Sequence, residues 1–123
     1  MRVLVIDDSR AMLAILSKIL GEVGMQVVTA SNGRDGLRRL EEDQEIGLAM
    51  VDWNLPEMSG FELVCKVRSR PEFNRVKLIM VTTETEQENI HKALEAGADE
   101  YVMKPFTKET IIEKLDLLGI DRG

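Results

Sequence analysis

A chain of 123 residues, 44% hydrophobic and 31% charged, has the size and composition of one globular domain able to bury a core without staples. A net charge of −6 excludes the basic footprint that nucleic acid or an anionic membrane requires, and one cysteine, Cys65, excludes an internal disulfide and fits a reducing compartment. The opening MRVLVIDDSR is too short in apolar residues for a signal peptide, and no segment nears the roughly 20 of a membrane span, so a cytoplasmic location is expected.

In chain order, short apolar runs alternate with helical periodicity. The run Val3–Ile6 predicts a first strand, and Met12, Ile15, Leu16, Ile19, Leu20 and Val23 mark the first helix at i, i+3, i+4, i+7 spacing. Val27–Thr29 predicts a more polar second strand suited to an edge, followed by a weaker helix through Leu37 and Leu40. Leu48–Val51 predicts the third strand. Phe61, Val64 and Val67 carry the next helix, with Ser59 as N-cap and Glu62 at the capping-box position. Leu78–Val81 is the fourth strand, and Ile90, Ala93, Leu94 and Gly97 follow at helical spacing. Tyr101–Met103 is the fifth strand, and Ile111, Ile112, Leu115 and Leu118 give the last helix. Gly97 and Gly119 read as helix stops. Strands alternating with helices predict a (βα)5 α/β domain, a parallel sheet covered on both faces, with no room for a second domain after Gly119.

The ionisable residues concentrate at strand ends. Asp7 and Asp8 follow the first strand, Asp52 ends the third, Thr82 and Thr83 end the fourth, and Lys104 follows the fifth. Carboxyl ends of parallel strands share one edge, where open α/β sheets bind ligands. A strand order of 2-1-3-4-5 places these four strands side by side and leaves the second outside. Three carboxylates at one edge repel each other, so a proton or a cation is needed. An all-oxygen cluster without histidine or thiol favours a hard cation, Mg²⁺ before Zn²⁺. With Lys104 and the Thr82 hydroxyl, such a site resembles a cradle for a transferring phosphoryl group, and Asp52 would be its nucleophile.

The segments VLVIDDS, MVDWNLPEMSG, LIMVTTE and AGADEYVMKPF, in this order, resemble a response-regulator receiver domain, and within that family the stand-alone chemotaxis regulators. The resemblance covers residues 1–123 and implies a single receiver domain without an output domain, of flavodoxin-like fold. It implies that Asp52 is the phosphoacceptor. Mg²⁺ would be held by Asp8 and Asp52, by the Asn54 backbone carbonyl, and by Asp7 through metal-bound water. Thr82 and Lys104 would each meet a phosphoryl oxygen. Thr82 and Tyr101 would form the switch that alters a surface made by the fourth helix, fifth strand and fifth helix. The Lys104–Pro105 bond is expected to be cis, and Asn54 and Glu84 to tune a fast dephosphorylation.

The partners implied are a histidine kinase or phosphotransfer protein and a downstream protein target, with no nucleic acid and no membrane, the unphosphorylated form being a monomer. The expected role is a phosphoacceptor switch and not an enzyme, with at most self-phosphorylation from donors and autodephosphorylation. One departure concerns the target. The segment TETEQENIHK carries Glu84, Glu86 and Glu88 and no base before Lys92, where motor-binding chemotaxis regulators commonly carry basic residues. That argues against a flagellar-motor peptide. A phosphorelay intermediate or a regulator outside chemotaxis is the alternative.

Other classes fit less well. A haloacid-dehalogenase-type phosphatase needs an acid/base aspartate where Asn54 stands, and a cap insertion that is missing. A flavodoxin-like FMN site needs a first loop that cradles phosphate, and Asp7 and Asp8 would repel it. A pseudo-receiver would not keep the full residue set. Several residues have plainer readings. Asp8 could also cap the first helix, and Trp53 is expected to be exposed and little packed. Cys65 is expected to be a small packed hydrophobe, His91 a solvent-facing helix residue, and Arg34, Arg38 and Arg39 a solvated face. The seven methionines are expected to be mostly core filler.

Overall fold

A computed structural model describes residues 1–83 and 87–120. It contains β1 (Arg2–Ile6), α1 (Arg10–Glu22), β2 (Gln26–Ala30), α2 (Gly33–Glu42), β3 (Ile46–Asp52), α3 (Gly60–Arg68), β4 (Lys77–Thr83), α4 (Gln87–Ala96), β5 (Glu100–Lys104) and α5 (Lys108–Leu117). All strand pairs are parallel and their order is β2-β1-β3-β4-β5, as expected. No helix among the described residues is long and apolar enough to cross a membrane.

The alternating directions of strand side chains build two cores. Val3, Val5, Met50, Ile79, Val81 and Val102 pack with Leu16, Leu20, Ile111 and Leu115, so α1 and α5 share one face. Leu4, Ile6, Ala49, Val51 and Met80 pack with Leu40, Leu63, Val67 and Ala93 on the other face, beneath α2, α3 and α4. The central strands β1, β3 and β4 are almost wholly buried, whereas β2 and β5 are partly exposed edges.

Local signals set the element ends. Ser59 and Glu62 form the expected capping box of α3. Gly97 and Gly119 take φ of 120° and 69°, which glycine adopts without a Cβ penalty, and Gly24 at 94° stops α1 in the same way. A turn of 3-10 helix, Pro71–Phe73, lies before β4 and was not apparent from periodicity.

Some expectations need correction. The N-cap of α1 is Ser9, whose hydroxyl accepts from the Met12 N–H, and not Asp8. Cys65 is exposed, because the buried stripe of α3 is Gly60, Leu63, Val64 and Val67 and residue 65 lies off it. Of the seven methionines only Met25, Met50 and Met80 are fully in the core, and Met1 is 54% exposed. His91 is exposed and pairs with Glu95 one turn on, and Arg34, Arg38 and Arg39 face solvent as expected.

Candidate functional site

Among the described residues the buried polar side chains are Asp7, Asp52 and Thr82, at 1%, 6% and 2% exposure. Each sits at the carboxyl end of a central strand. Burying a carboxylate is costly unless it is paired or coordinates a cation, so two at one edge mark a site. Carboxylate oxygens of Asp7, Asp8 and Asp52 lie within 4.8 Å of one another, with Asp8 exposed at the rim.

The sheet register delivers this grouping. Ile6 pairs with Val51, so Asp7 follows directly beside Asp52. Asp52 pairs with Val81, which places Thr82 one step beyond, and Thr83 pairs with Lys104. Lys104 is thus the last residue of β5, and its ammonium reaches back across the edge. Its Nζ lies 3.4 Å from Asp52 Oδ1 and 3.7 Å from Asp7 Oδ2. The Lys104–Pro105 bond is cis.

Asp7 Oδ1 accepts the Ser9 N–H at 2.9 Å, whereas Asp7 Oδ2 is buried and has no hydrogen-bond donor among the described residues. The carboxyl group of Asp52 is held above the usual carboxylate range, chiefly by burial and then by the Asp7 charge; the Lys104 charge and hydrogen bond and the Asn54 N–H oppose the shift. One cation is therefore too few for three acids. The donor set is all oxygen, and Asp7 brings to it a buried Oδ2 that no hydrogen bond occupies, so the cluster fits a hard metal ion.

The loop after β3 is rigidly tied. The Trp53 N–H donates to the Val81 carbonyl at 3.0 Å, and the Gly60 N–H donates to the Trp53 carbonyl at 2.9 Å. Gly60 approaches so closely that a Cβ there would run into the Asp52 carbonyl oxygen and come within 2.9 Å of Trp53 Cα. This tether was not foreseen from the sequence, although a glycine opening a helix after a capping serine is an unusual choice on propensity grounds. Asn54 is exposed in the loop. Trp53 is not bare: it is half-buried against the core and stacks on Phe61, ring centroids 5.9 Å apart at 21°. Tyr101 is half-buried in β5, and Glu84 lies outside the described residues.

The sequence model of the response regulator receiver domain matches residues 3–116. The chain is 38% identical to the chemotaxis protein CheY1 of Helicobacter pylori, over 96% of each chain. It is 39% identical to a chemotaxis protein CheY homolog of Campylobacter jejuni, over 100% of this chain and 96% of that one. Among solved structures, the Vibrio cholerae chemotaxis protein CheY4 superposes with a TM-score of 0.87 at 33% identity, covering 94% of this chain and 96% of that one. Likeness of this extent, in sequence and in fold alike, shows that the chain belongs to the response regulator receiver domain family, the switch components of two-component signalling.

Proposed function

We propose that the chain accepts a phosphoryl group on Asp52 from a histidine kinase and signals in chemotaxis by contact with a protein target. The observation that carries this reading is Asp52 itself: a buried carboxylate with a raised pKa, its Oδ1 3.4 Å from Lys104, beside an acid with an unsatisfied buried oxygen. The chemotaxis assignment rests on the names of relatives alone.

The metal would be Mg²⁺, held by Asp7, Asp8, Asp52 and the Asn54 carbonyl. Once bound it supplies the charge that lets three carboxylates and an incoming phosphate coexist. The protein's own groups do the rest. A carboxylate oxygen of Asp52 attacks phosphorus, the bond from phosphorus to the donor nitrogen breaks, and that nitrogen leaves with the electron pair. Lys104 neutralises charge on the phosphoryl oxygens, its ammonium already lying 3.4 Å from Asp52 Oδ1. Thr82 donates its hydroxyl to a phosphoryl oxygen. Its movement admits Tyr101, which biases the surface of α4, β5 and α5 toward the target-binding form. The chain acts as a phosphoacceptor and not as a turnover enzyme.

Incubation with acetyl phosphate, with and without Mg²⁺, tests this by intact-mass measurement. One phosphoryl group is expected on the wild type with Mg²⁺ and none on Asp52→Asn. Incorporation that survives in Asp52→Asn overturns the assignment.

A further inference from the structure

Tyr101 is held by an arrangement that the phosphoacceptor chemistry does not use. It lies on β5, the edge strand, and packs against the core beneath α2, α3 and α4. Yet Lys114, from α5 on the opposite face, places its Nζ 4.3 Å from the Tyr101 ring centroid. A ring touched from both layers must lie across the open edge of the sheet. The same ammonium donates to Glu100 Oε1 at 3.1 Å, and that oxygen also accepts the Tyr101 backbone N–H at 3.0 Å. Lys114 and Glu100 side chains are only 17% and 20% exposed, so the pair is shielded from solvent. Glu100, Tyr101 and Lys114 therefore close a ring of contacts: carboxylate to ammonium, ammonium to aromatic face, aromatic residue's own N–H back to the carboxylate.

We propose that Lys114 and Glu100 are positioning residues that latch Tyr101 at the sheet edge in the resting protein and thereby set how readily phosphorylation turns the switch. The inference rests on the reading of Tyr101 as the switch aromatic. Any inward turn of the ring must give up the ammonium over its face, and a partly buried cation on an aromatic ring is a contact of real strength. By linkage, a contact made only in the resting state weakens binding of whatever favours the other state by the same factor. Glu100 acts through Lys114, since it fixes the ammonium and caps the edge N–H that the ring's own residue presents.

Tyr101 is the only tyrosine and Trp53 the only tryptophan, so each gives an unambiguous signal. The protein labelled with 3-fluorotyrosine reports the ring by 19F NMR, and titration of Trp53 fluorescence with beryllofluoride in Mg²⁺ reports the affinity of the activated form. Lys114→Met keeps the apolar stem and removes the charge. The resting 19F resonance is expected to move toward the activated position, and beryllofluoride binding to tighten about two- to thirty-fold, the range a cation over an aromatic face spans. Glu100→Gln should shift both in the same direction, and Lys114→Arg should restore wild-type values. A wild-type resonance that moves with beryllofluoride, together with Lys114→Met values unchanged within about twofold, overturns the latch and leaves the switch intact. A wild-type resonance that does not move removes the switch reading itself.

Discussion

Replacing Asp52 by Asn should stabilise the fold in metal-free buffer at neutral pH. The oxygens of Asp7, Asp8 and Asp52 are within 4.8 Å of one another. At an effective dielectric of 20, two unit charges at that separation repel by about 3–4 kcal/mol. The substitution removes two such repulsions, the one with exposed Asp8 discounted for solvent, and relieves the burial of a charge that is 6% exposed. It loses the attraction to Lys104, about 5 kcal/mol by the same rule at 3.4 Å. The signs favour the variant by about 1–3 kcal/mol, or about 3–15 °C in Tm for a domain of this size. Linkage gives the pH dependence. Asp52 has its folded-state pKa raised, so wild-type stability is gained as pH falls through that raised value toward the ordinary 3.8, and is lost as pH rises. The gap between variant and wild type should therefore close on acidification. Mg²⁺ should reverse the order, because only the wild type keeps the full donor set; a thousandfold excess over Kd adds about 4.1 kcal/mol. Thermal melts of both proteins across pH, with chelator and with Mg²⁺, measure all of this. A variant that melts below the wild type at pH 7 in chelator, or a gap that widens on acidification, refutes the reasoning.

Lys104→Met keeps the side-chain stem and removes the cation shared by Asp7 and Asp52; the initial rate of phosphorylation by acetyl phosphate should fall about 10²–10³-fold, the scale for one lost charge-stabilising donor. Gly60→Ala should cost about 1–3 kcal/mol in urea unfolding, since its Cβ meets the backbone of Asp52 and Trp53, and phosphorylation should slow as Asp52 is displaced. Arg68→Met should cost about 2–4 kcal/mol, because Arg68 donates to the carbonyls of Gly97, Phe73 and Val76 and to Asp99 and all four bonds are lost, while the Phe73 carbonyl keeps the Val76 N–H and Asp99 keeps the Leu78 N–H; lying at the amino ends of β4 and β5, it should leave the phosphorylation rate within about twofold of wild type.

The gathering of Asp7, Asp52, Thr82 and Lys104 at one edge was legible because a single rule governs it. Parallel strands place all their carboxyl ends together, so polar side chains after four of the five apolar runs are enough to locate the edge. Register added what periodicity could not. Periodicity leaves Lys104 after the fifth strand, yet its pairing with Thr83 makes it the last rung of β5 and fixes the distance its ammonium must span. Cys65 was also decidable. Its neighbour Val64 is buried, but one residue along a helix is a rotation of about 100°, and the i, i+3, i+4 positions of the stripe are Gly60, Leu63, Val64 and Val67.

Trp53 and the α1 cap were not decidable, for different reasons. Beside a polar cluster an aromatic ring has two outcomes, solvent or a partner, and the partner here is Phe61, eight positions on. Whether those rings meet depends on the turn angle of the loop between them, which Gly60 sets by approaching Asp52 more closely than any side chain allows. At the cap, Asp8 and Ser9 are both competent by type. Asp7 breaks the tie: its Oδ1 takes the Ser9 N–H, the backbone turns there, and the Ser9 hydroxyl is left facing the Met12 N–H. The choice frees Asp8 to stay at the rim with the acid cluster. A buried carboxylate that organises the loop with one oxygen and leaves the other unsatisfied thus joins the local fold to the chemistry of the site.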